Sequence, residues 1–354
     1  MDRRCWKNNR AGWSILQAAC QDVNRRSISV RTFAHPHATV HTVRTASPDE
    51  AAAWIRRGGL VAFPTETVYG LGADAFHPKA VATIFAAKGR PQDNPLIVHV
   101  AAREHVARVA RRVPPAARTL MDAFFPGPLT LILPKHPDVP DAVTAGLDTV
   151  GVRMPRHPIA QAFLKACGTP VAAPSANRSG RPSPTTWHAV ADDLDGRIPC
   201  ILMGDRTDAG VESTVVDCTQ TPPAILRPGA ISMEALQAAL PAVGIRPPSD
   251  ETAARSPGTR HRHYAPTAHV HLVEHPHDVS DPAEAAYIGL DAPEARDAFV
   301  RCYVAEDVED YAHALFHFFR QSDAAGCDVI YAQVVSDAGW GRALNDRLHR
   351  AAER

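Results

Sequence analysis

Short apolar runs along this chain alternate with stretches whose apolar residues recur every three or four positions. The two patterns predict different elements. SPDEAAAWIRRGG (47–59) predicts a helix: Ser47 is placed to cap it, Pro48 fits the first turn, acids follow, and Gly58 and Gly59 end it. LVAFPT predicts a short buried strand, HPKAVATIFAAKGR a helix ending at a basic loop, and PLIVHV a strand. REHVARVARRVPPAARTLMDAFF predicts a helix broken at Pro114 and Pro115. PLTLILP and VGVRMP predict strands, HPIAQAFLKACG a helix, PVAAPSAN a strand running into a loop, and TTWHAVADDLDG a helix. CILMGD, STVVDCT and AILRPG predict short strands, and SMEALQAAL a closing helix.

Strands here alternate with helices but also follow one another across short turns. That mixture predicts a mixed α/β sheet rather than a regular parallel one. Polar stretches fall just past strand ends, where α/β folds place ligands. Further on, AHVHLV, AAYIGL and RCYVAE predict strands, DVEDYAHALFHFFRQSDAAG a helix, CDVIYAQVV a strand and GRALNDRLHRAAER a last helix. They make a second, smaller α/β domain. The expected organisation is a leader over 1–43, a main domain over 44–241, a linker over 242–266 and a small C-terminal domain over 267–354.

Composition narrows this picture. The 354 residues are 45% hydrophobic, enough for a sizeable core, and a length suited to two domains. Thirty-eight basic residues balance 38 acidic ones, which argues against a general nucleic-acid coat. The seven cysteines form no C-x-x-C pair, and an odd number without framework spacing fits a reducing compartment. No apolar run approaches the roughly 18 residues that span a bilayer, so a cytoplasmic protein without a membrane partner is expected. Residues 1–43 hold only two acids, Asp2 and Asp22. They read as a disordered extension, a start codon placed too early, or a targeting leader.

Several stretches carry chemistry. YGLGADA has G-x-G-x-x-A spacing, but Pro64 interrupts the strand before it and no helix opens at its glycines, which argues against a dinucleotide loop. FPTETVYGLG hangs Thr65, Glu66, Thr67 and Tyr69 off a strand end, as a capped turn or as ligands. KGRPQDNPLIVHV places Lys88 and Arg90 two apart, so that in extended chain both cations face one anion, and adds Asn94 and His99. Arg153 lies mid-strand, where a charge must be paired or face a ligand, and an arginine suits a carboxylate or phosphate. APSANRSGRPSPTT supplies Ser175, Asn177, Ser179 and Ser183; GVESTVVD supplies Glu212, Ser213 and Thr214; Arg227 ends a strand. Four cations with hydroxyl-rich loops suit a nucleotide and a small zwitterion, not a hydrolytic triad or paired carboxylates. No metal cage is evident, which is compatible with Mg²⁺ held mainly by phosphates and water.

Taken in order, FPTETVYGLGADA, KGRPQDNPLIVHV, PGPLTLIL, GVRMPRHP, APSANRSGRPSPT, ESTVVD and LRPGAI resemble the Sua5/YrdC/YciO family. SPGTRHRHYAP followed by a small α/β domain resembles its longer Sua5 type, so the resemblance covers about residues 44–354. The resemblance implies a twisted mixed-sheet catalytic domain with a concave cavity and a Rossmann-like C-terminal domain. It also implies threonylcarbamoyl-AMP synthase activity: L-threonine, bicarbonate and ATP give L-threonylcarbamoyl-AMP, pyrophosphate and water. The product supplies N6-threonylcarbamoyladenosine in tRNA through a downstream threonylcarbamoyl transferase complex, with weak RNA binding a further expectation. By the family pattern Thr67, His99, Arg153, Ala173 (through its backbone) and Ser213 hold threonine, and Arg153 takes its carboxylate. Arg90, Asn94, Thr149, Ser175, Ser183, Arg227 and Tyr264 hold ATP, with Mg²⁺ on its phosphates. Lys88, Arg90, Ser175 and Asn177 form the catalytic basic and polar set. The linker is expected to fold over the cavity as a lid, although Thr259 and His261 stand where the family motif has Met and Tyr.

Two other functions compete. An RNA-binding or ribosome-assembly factor could use the same basic residues, but the balanced charge and lack of aromatic stacking platforms count against it. Carbamoyl transfer from carbamoyl phosphate, as in related domains of hydrogenase maturation proteins, would require acylphosphatase and zinc-finger segments missing here.

Overall fold

The computed structural model describes residues 40–245 and 264–353. The expectations for residues 1–39 and 246–263, including most of the lid, lie outside the described residues. The main domain runs β1 (Val43–Thr45), α1 (Pro48–Arg56), β2 (Val61–Phe63), β3 (Gly70–Asp74), α2 (Pro78–Lys88), β4 (Ile97–His99), α3 (Pro115–Phe124), β5 (Leu129–Pro134), α4 (Asp141–Thr144), β6 (Thr149–Arg153), α5 (Pro158–Cys167), β7 (Val171–Ala173), α6 (Trp187–Leu194), β8 (Cys200–Leu202), β9 (Thr214–Asp217), β10 (Ala224–Arg227), α7 (Met233–Ala239) and β11 (Gly244–Ile245). The sheet therefore starts at Val43, inside the stretch read as leader, and ends at Ile245, inside the stretch read as linker.

These strands form one mixed sheet in the order β1-β8-β2-β3-β7-β4-β6-β5-β9-β10-β11. Local signals explain most of its helices. Ser47 caps α1 by accepting from the Glu50 amide at 3.3 Å. Pro114 and Pro115 break the third helical stretch as read: its first half is a 3₁₀ turn (Arg103–Arg108) and α3 begins at Pro115. YGLGADA is strand, not loop. A Cβ on Gly72 would stand 2.6 Å from Val171 Cγ1, and one on Gly70 3.2 Å from the Phe63 ring. The glycines admit neighbouring side chains rather than a phosphate.

Helices cover the sheet unevenly. One face packs on α2, α3, α6 and α7 in the largest core, through Val98, Leu131 and Val152 of the central strands. On the other face α1 and α5 pack together over Val61, Phe63, Val171 and Cys200. The alternate residues of β4 and β6, Ile97, His99 and Arg153, line a cavity instead.

The C-terminal domain holds β12 (His269–Val273), β13 (Ala285–Gly289), β14 (Arg301–Val304), α8 (Val308–Ala324), β15 (Val329–Gln333) and α9 (Gly341–Ala352). Its four strands are all parallel, in the order β12-β15-β13-β14. Val68 and Tyr264 share its core with α8 and α9, so the two parts are packed together. Arg320 on α8 donates to Asp193 Oδ2 at 2.8 Å and to the Pro182 carbonyl. Gly210, at φ +72°, lies under α8, where a Cβ would stand 2.5 Å from His313 Cα.

Candidate active site

The ends of β2, β4, β6, β7, β9 and β10 converge on a cavity of about 60 Å³. Thr65, Thr67, Arg90, His99, Arg153, Ala173, Ser175, Glu212, Ser213, Arg227 and Tyr264 are among the residues that line it.

Sheet register builds one end. His99 and Thr130 both stand opposite Arg153 across neighbouring strands, which sets the three side by side on one face. Arg153 Nη1 donates to Thr67 Oγ1 at 2.8 Å, and its Nη2 lies 2.8 Å from Glu66 Oε1. That pair is close but misaligned. Both Glu66 oxygens and Arg153 Nε and Nη2 are buried with no hydrogen-bond partner among the described residues. Such orphaned groups are rare inside proteins and point to a ligand. Thr65 Oγ1 accepts from the Thr67 amide and bonds Thr67 Oγ1 at 2.9 Å, fixing the turn that aims Thr67. His99 Nδ1 lies 3.2 Å from the Ile97 carbonyl, and its ring meets Phe63 edge to face. Burial, with the Arg153 charge beside it, pushes the imidazole down to about 3, so it is neutral at working pH.

The other end gathers side chains from distant segments. Ser213 Oγ and Thr130 Oγ1 are 2.8 Å apart, and Arg227 Nη2 donates to the Ser213 carbonyl at 2.9 Å. Glu212 Oε1 accepts from Ser183 Oγ at 2.6 Å. Its Oε2 accepts from Arg347 Nε on α9 at 2.7 Å. Arg90 Nη2 donates to the Pro95 carbonyl at 3.2 Å, and burial pulls its guanidinium down to about 10, still charged at neutral pH. Tyr264 is a non-glycine residue at φ +68°, with its ring stacked on Phe316 and 5.4 Å away.

One expectation is overturned. Lys88 and Arg90 do not alternate along an extended chain, because Gly89 ends α2 in the left-handed region at φ +62°. Lys88 turns inward and donates to the Ser175 carbonyl at 2.6 Å and to that of Asn177. Burial, reinforced by Arg90, holds its ammonium well below the usual range. Lys88 is thus turned onto the carbonyls of the serine loop. Asn177 does the same: it accepts from Ser175 Oγ and donates to the carbonyls of Arg178 and Arg181.

The cavity thus brings together Thr67, Arg90, His99, Arg153, Ala173, Ser175, Ser213, Arg227 and Tyr264, while Lys88, Asn94, Thr149, Asn177 and Ser183 stand off its lining. Sequence reading missed Arg347. Its signal was a charge within the apolar stripe Leu344, Leu348 and Ala351 of the last helix.

Fold and site define an α/β protein that seats a small anionic or zwitterionic ligand beneath a cluster of arginines. The family model described as Telomere recombination (Sua5/YciO/YrdC) matches residues 53–229, and that of the threonylcarbamoyl-AMP synthase C-terminal domain matches 231–353. The chain is 46% identical over 315 residues to the threonylcarbamoyl-AMP synthase of Pyrococcus abyssi, covering 85% of this chain and 93% of that one. It is 43% identical over 318 residues to the Bacillus subtilis enzyme of that name, covering 86% and 92%. The crystal structure of P. abyssi Sua5 complexed with L-threonine superposes with a TM-score of 0.79 at 42% identity, covering 88% of this chain and 97% of that one. The chain belongs to the Sua5/YciO/YrdC family, in the form that carries the synthase C-terminal domain.

Proposed function

We infer that the chain condenses L-threonine, bicarbonate and ATP into L-threonylcarbamoyl-AMP, releasing pyrophosphate and water. The observation that carries this reading is Arg153, whose Nε and Nη2 have no hydrogen-bond partner and whose Nη2 has only a misaligned ion pair with Glu66, beside Thr67 and a neutral His99. A threonine carboxylate takes those donors as a charge-assisted fork. Thr67, His99, the Ala173 backbone and Ser213 hold the rest of the amino acid.

The threonine amine adds to bicarbonate to give a carbamate and water. A carbamate oxygen then attacks the α-phosphorus of ATP, and the bond to pyrophosphate breaks. Charge gathers on phosphate oxygens, so the protein's part is positioning and cationic stabilisation. Arg90, Ser175, Arg227 and Tyr264 serve the nucleotide at the cavity, with Asn94, Thr149 and Ser183 further out. Lys88 and Asn177 hold the Ser175 loop in shape. Both oxygens of Glu212 are engaged by Ser183 and Arg347. Mg²⁺ would be held by phosphates and water, where it would neutralise charge on the leaving group. The catalytic domain spans the sheet from Val43 to Ile245, and the C-terminal domain follows from about residue 267. The labile product passes in the cytoplasm to a threonylcarbamoyl transferase complex acting on tRNA, where any weak RNA contact would fall. No helix among the described residues is long and apolar enough to cross a membrane.

The test is pyrophosphate release from ATP by purified protein, with and without L-threonine and bicarbonate, for wild type and Arg153→Ala. Release that needs both substrates and fails in the variant is expected. Release independent of threonine would overturn the reading.

A further inference from the structure

Glu212 poses a problem for a nucleotide site. It lines the same cavity as Arg90 and Arg227, where a carboxylate repels phosphate and competes for the arginines that bind it. Arg347 answers from outside the catalytic domain. It is fully buried on α9, with Nε on Glu212 Oε2 and Nη2 on the Pro228 carbonyl at 3.0 Å. Its guanidinium carbon lies 5.3 Å from the centre of the Tyr264 ring. Pro228 follows Arg227, and Ser213 follows Glu212. The Arg347 fork thus grips both segments that carry the far end of the cavity. With Ser183 on the other carboxylate oxygen, Glu212 is held in the wall.

We propose that Arg347 is a positioning residue for the nucleotide. It neutralises Glu212 from behind and keeps that carboxylate from turning to Arg227, so the C-terminal domain completes the ATP end of the site. This rests on the synthase reading for the identity of the nucleotide. Arg347 Nη1 also pairs with Asp346, but Asp346 keeps Arg350 as a second partner. The charge arithmetic therefore makes a specific demand: removing Arg347 is harmful chiefly while Glu212 is charged.

The experiment uses the full chain as wild type, Arg347→Gln, Glu212→Gln and the double variant. Binding of a non-hydrolysable ATP analogue is measured by calorimetry, and KM for ATP and for threonine by pyrophosphate release. Arg347→Gln is expected to weaken analogue binding and raise the ATP KM about tenfold, with the threonine KM within about twofold. The double variant is expected to recover to within about threefold of wild type, because Glu212 no longer carries a charge and Asp346 keeps Arg350. An unchanged ATP KM in Arg347→Gln, a parallel rise in both KM values, or a double variant as poor as Arg347→Gln would overturn the proposal. Should Arg347→Gln fail to fold, Glu212→Gln and the double variant are compared directly. Equal ATP affinity supports the proposal, and a tenfold gap sinks it. Analogue binding needs no turnover: loss of threonine-dependent release with this binding pattern intact would count against the synthase reading alone.

Discussion

The two ends of the cavity are built in opposite ways. At the Arg153 end, neighbouring strands do the placing, and polar groups are left without hydrogen-bond partners. At the Glu212 end, Ser183 and Arg347, from two segments far apart in sequence, close on one carboxylate, and both its oxygens are satisfied. The first end is set by the sheet and the turn after β2, within one domain. The second depends on a docked domain. Substrate selection and domain docking are thus separable, and mutation should separate them.

The sharpest break comes at Arg153. Arg153→Ala should lower threonine-dependent turnover by about 100-fold or more, the range for removing one partner of a buried charged hydrogen bond. It also strands Glu66 in the core, which costs about 3–5 kcal/mol of stability. Adding Glu66→Gln should restore the unfolding midpoint without restoring turnover, read by urea melts and pyrophosphate release. A double variant that regains threonine turnover would reduce Arg153 to a folding residue.

The same division governs what could be read from the sequence. The Arg153 end was legible because its determinants are local: a charge inside an apolar strand, and a polar turn after another. The helices were legible from caps and prolines. The β3 strand was not: YGLGADA carried no strand signal, and Gly70 and Gly72 make sense only once Val171 and Phe63 are seen filling the space beside them. The direction of Lys88 was hidden because one left-handed glycine reverses it. Arg347 and Glu212 are 135 positions apart, and no periodicity pairs residues at that distance.

Domain docking should respond next most strongly. Asp193 is a fully buried side chain held by Arg320 from α8 and by Arg181. Burial alone would raise its carboxyl, but hydrogen bonds and charge from the two arginines overcome that and hold it below the ordinary value. Arg320→Ala should cost about 1–3 kcal/mol, since Arg181 and the Arg178 amide still donate to the carboxylate. In urea melts with separate probes, the C-terminal domain should loosen first and the ATP KM rise before the threonine KM. The depressed carboxyl gives the sign with pH. Its stabilisation is complete above the unfolded value of about 3.9 and is lost as pH falls through the folded value.

His99 tests the sheet-built end more gently. Its folded value of about 3 lies below an unfolded value near 6.5. The unfolded chain therefore binds an extra proton below pH 6.5, and stability falls as pH drops from there towards 3. The groups facing the ring give it no way out: Arg153 opposes protonation, and the carbonyls of Ile97 and Val171 offset burial only in part. Between pH 7.5 and 5.5 the wild type should lose about 1.4 kcal/mol more than His99→Gln, measured as unfolding free energy in urea. Equal losses would mean that the imidazole is protonated in the fold.

The smallest expected effect marks the outer reach of the site. Thr149, Gly151 and Arg153 are alternate residues of β6 and share its cavity-facing side. Thr149 sits four residues from Arg153, about 13 Å along the strand, and half-buried beyond the cavity lining. Gly151 leaves the surface between them without a side chain. A nucleotide running from the threonine pocket towards the strand's start would reach the Thr149 hydroxyl with one hydrogen bond, worth about 1 kcal/mol. Thr149→Ala should therefore raise the ATP KM about fivefold and leave the threonine KM and the unfolding midpoint unchanged. A threonine KM that moves with it would place the amino acid, not the nucleotide, along β6, and would reverse the orientation of both substrates in the cavity.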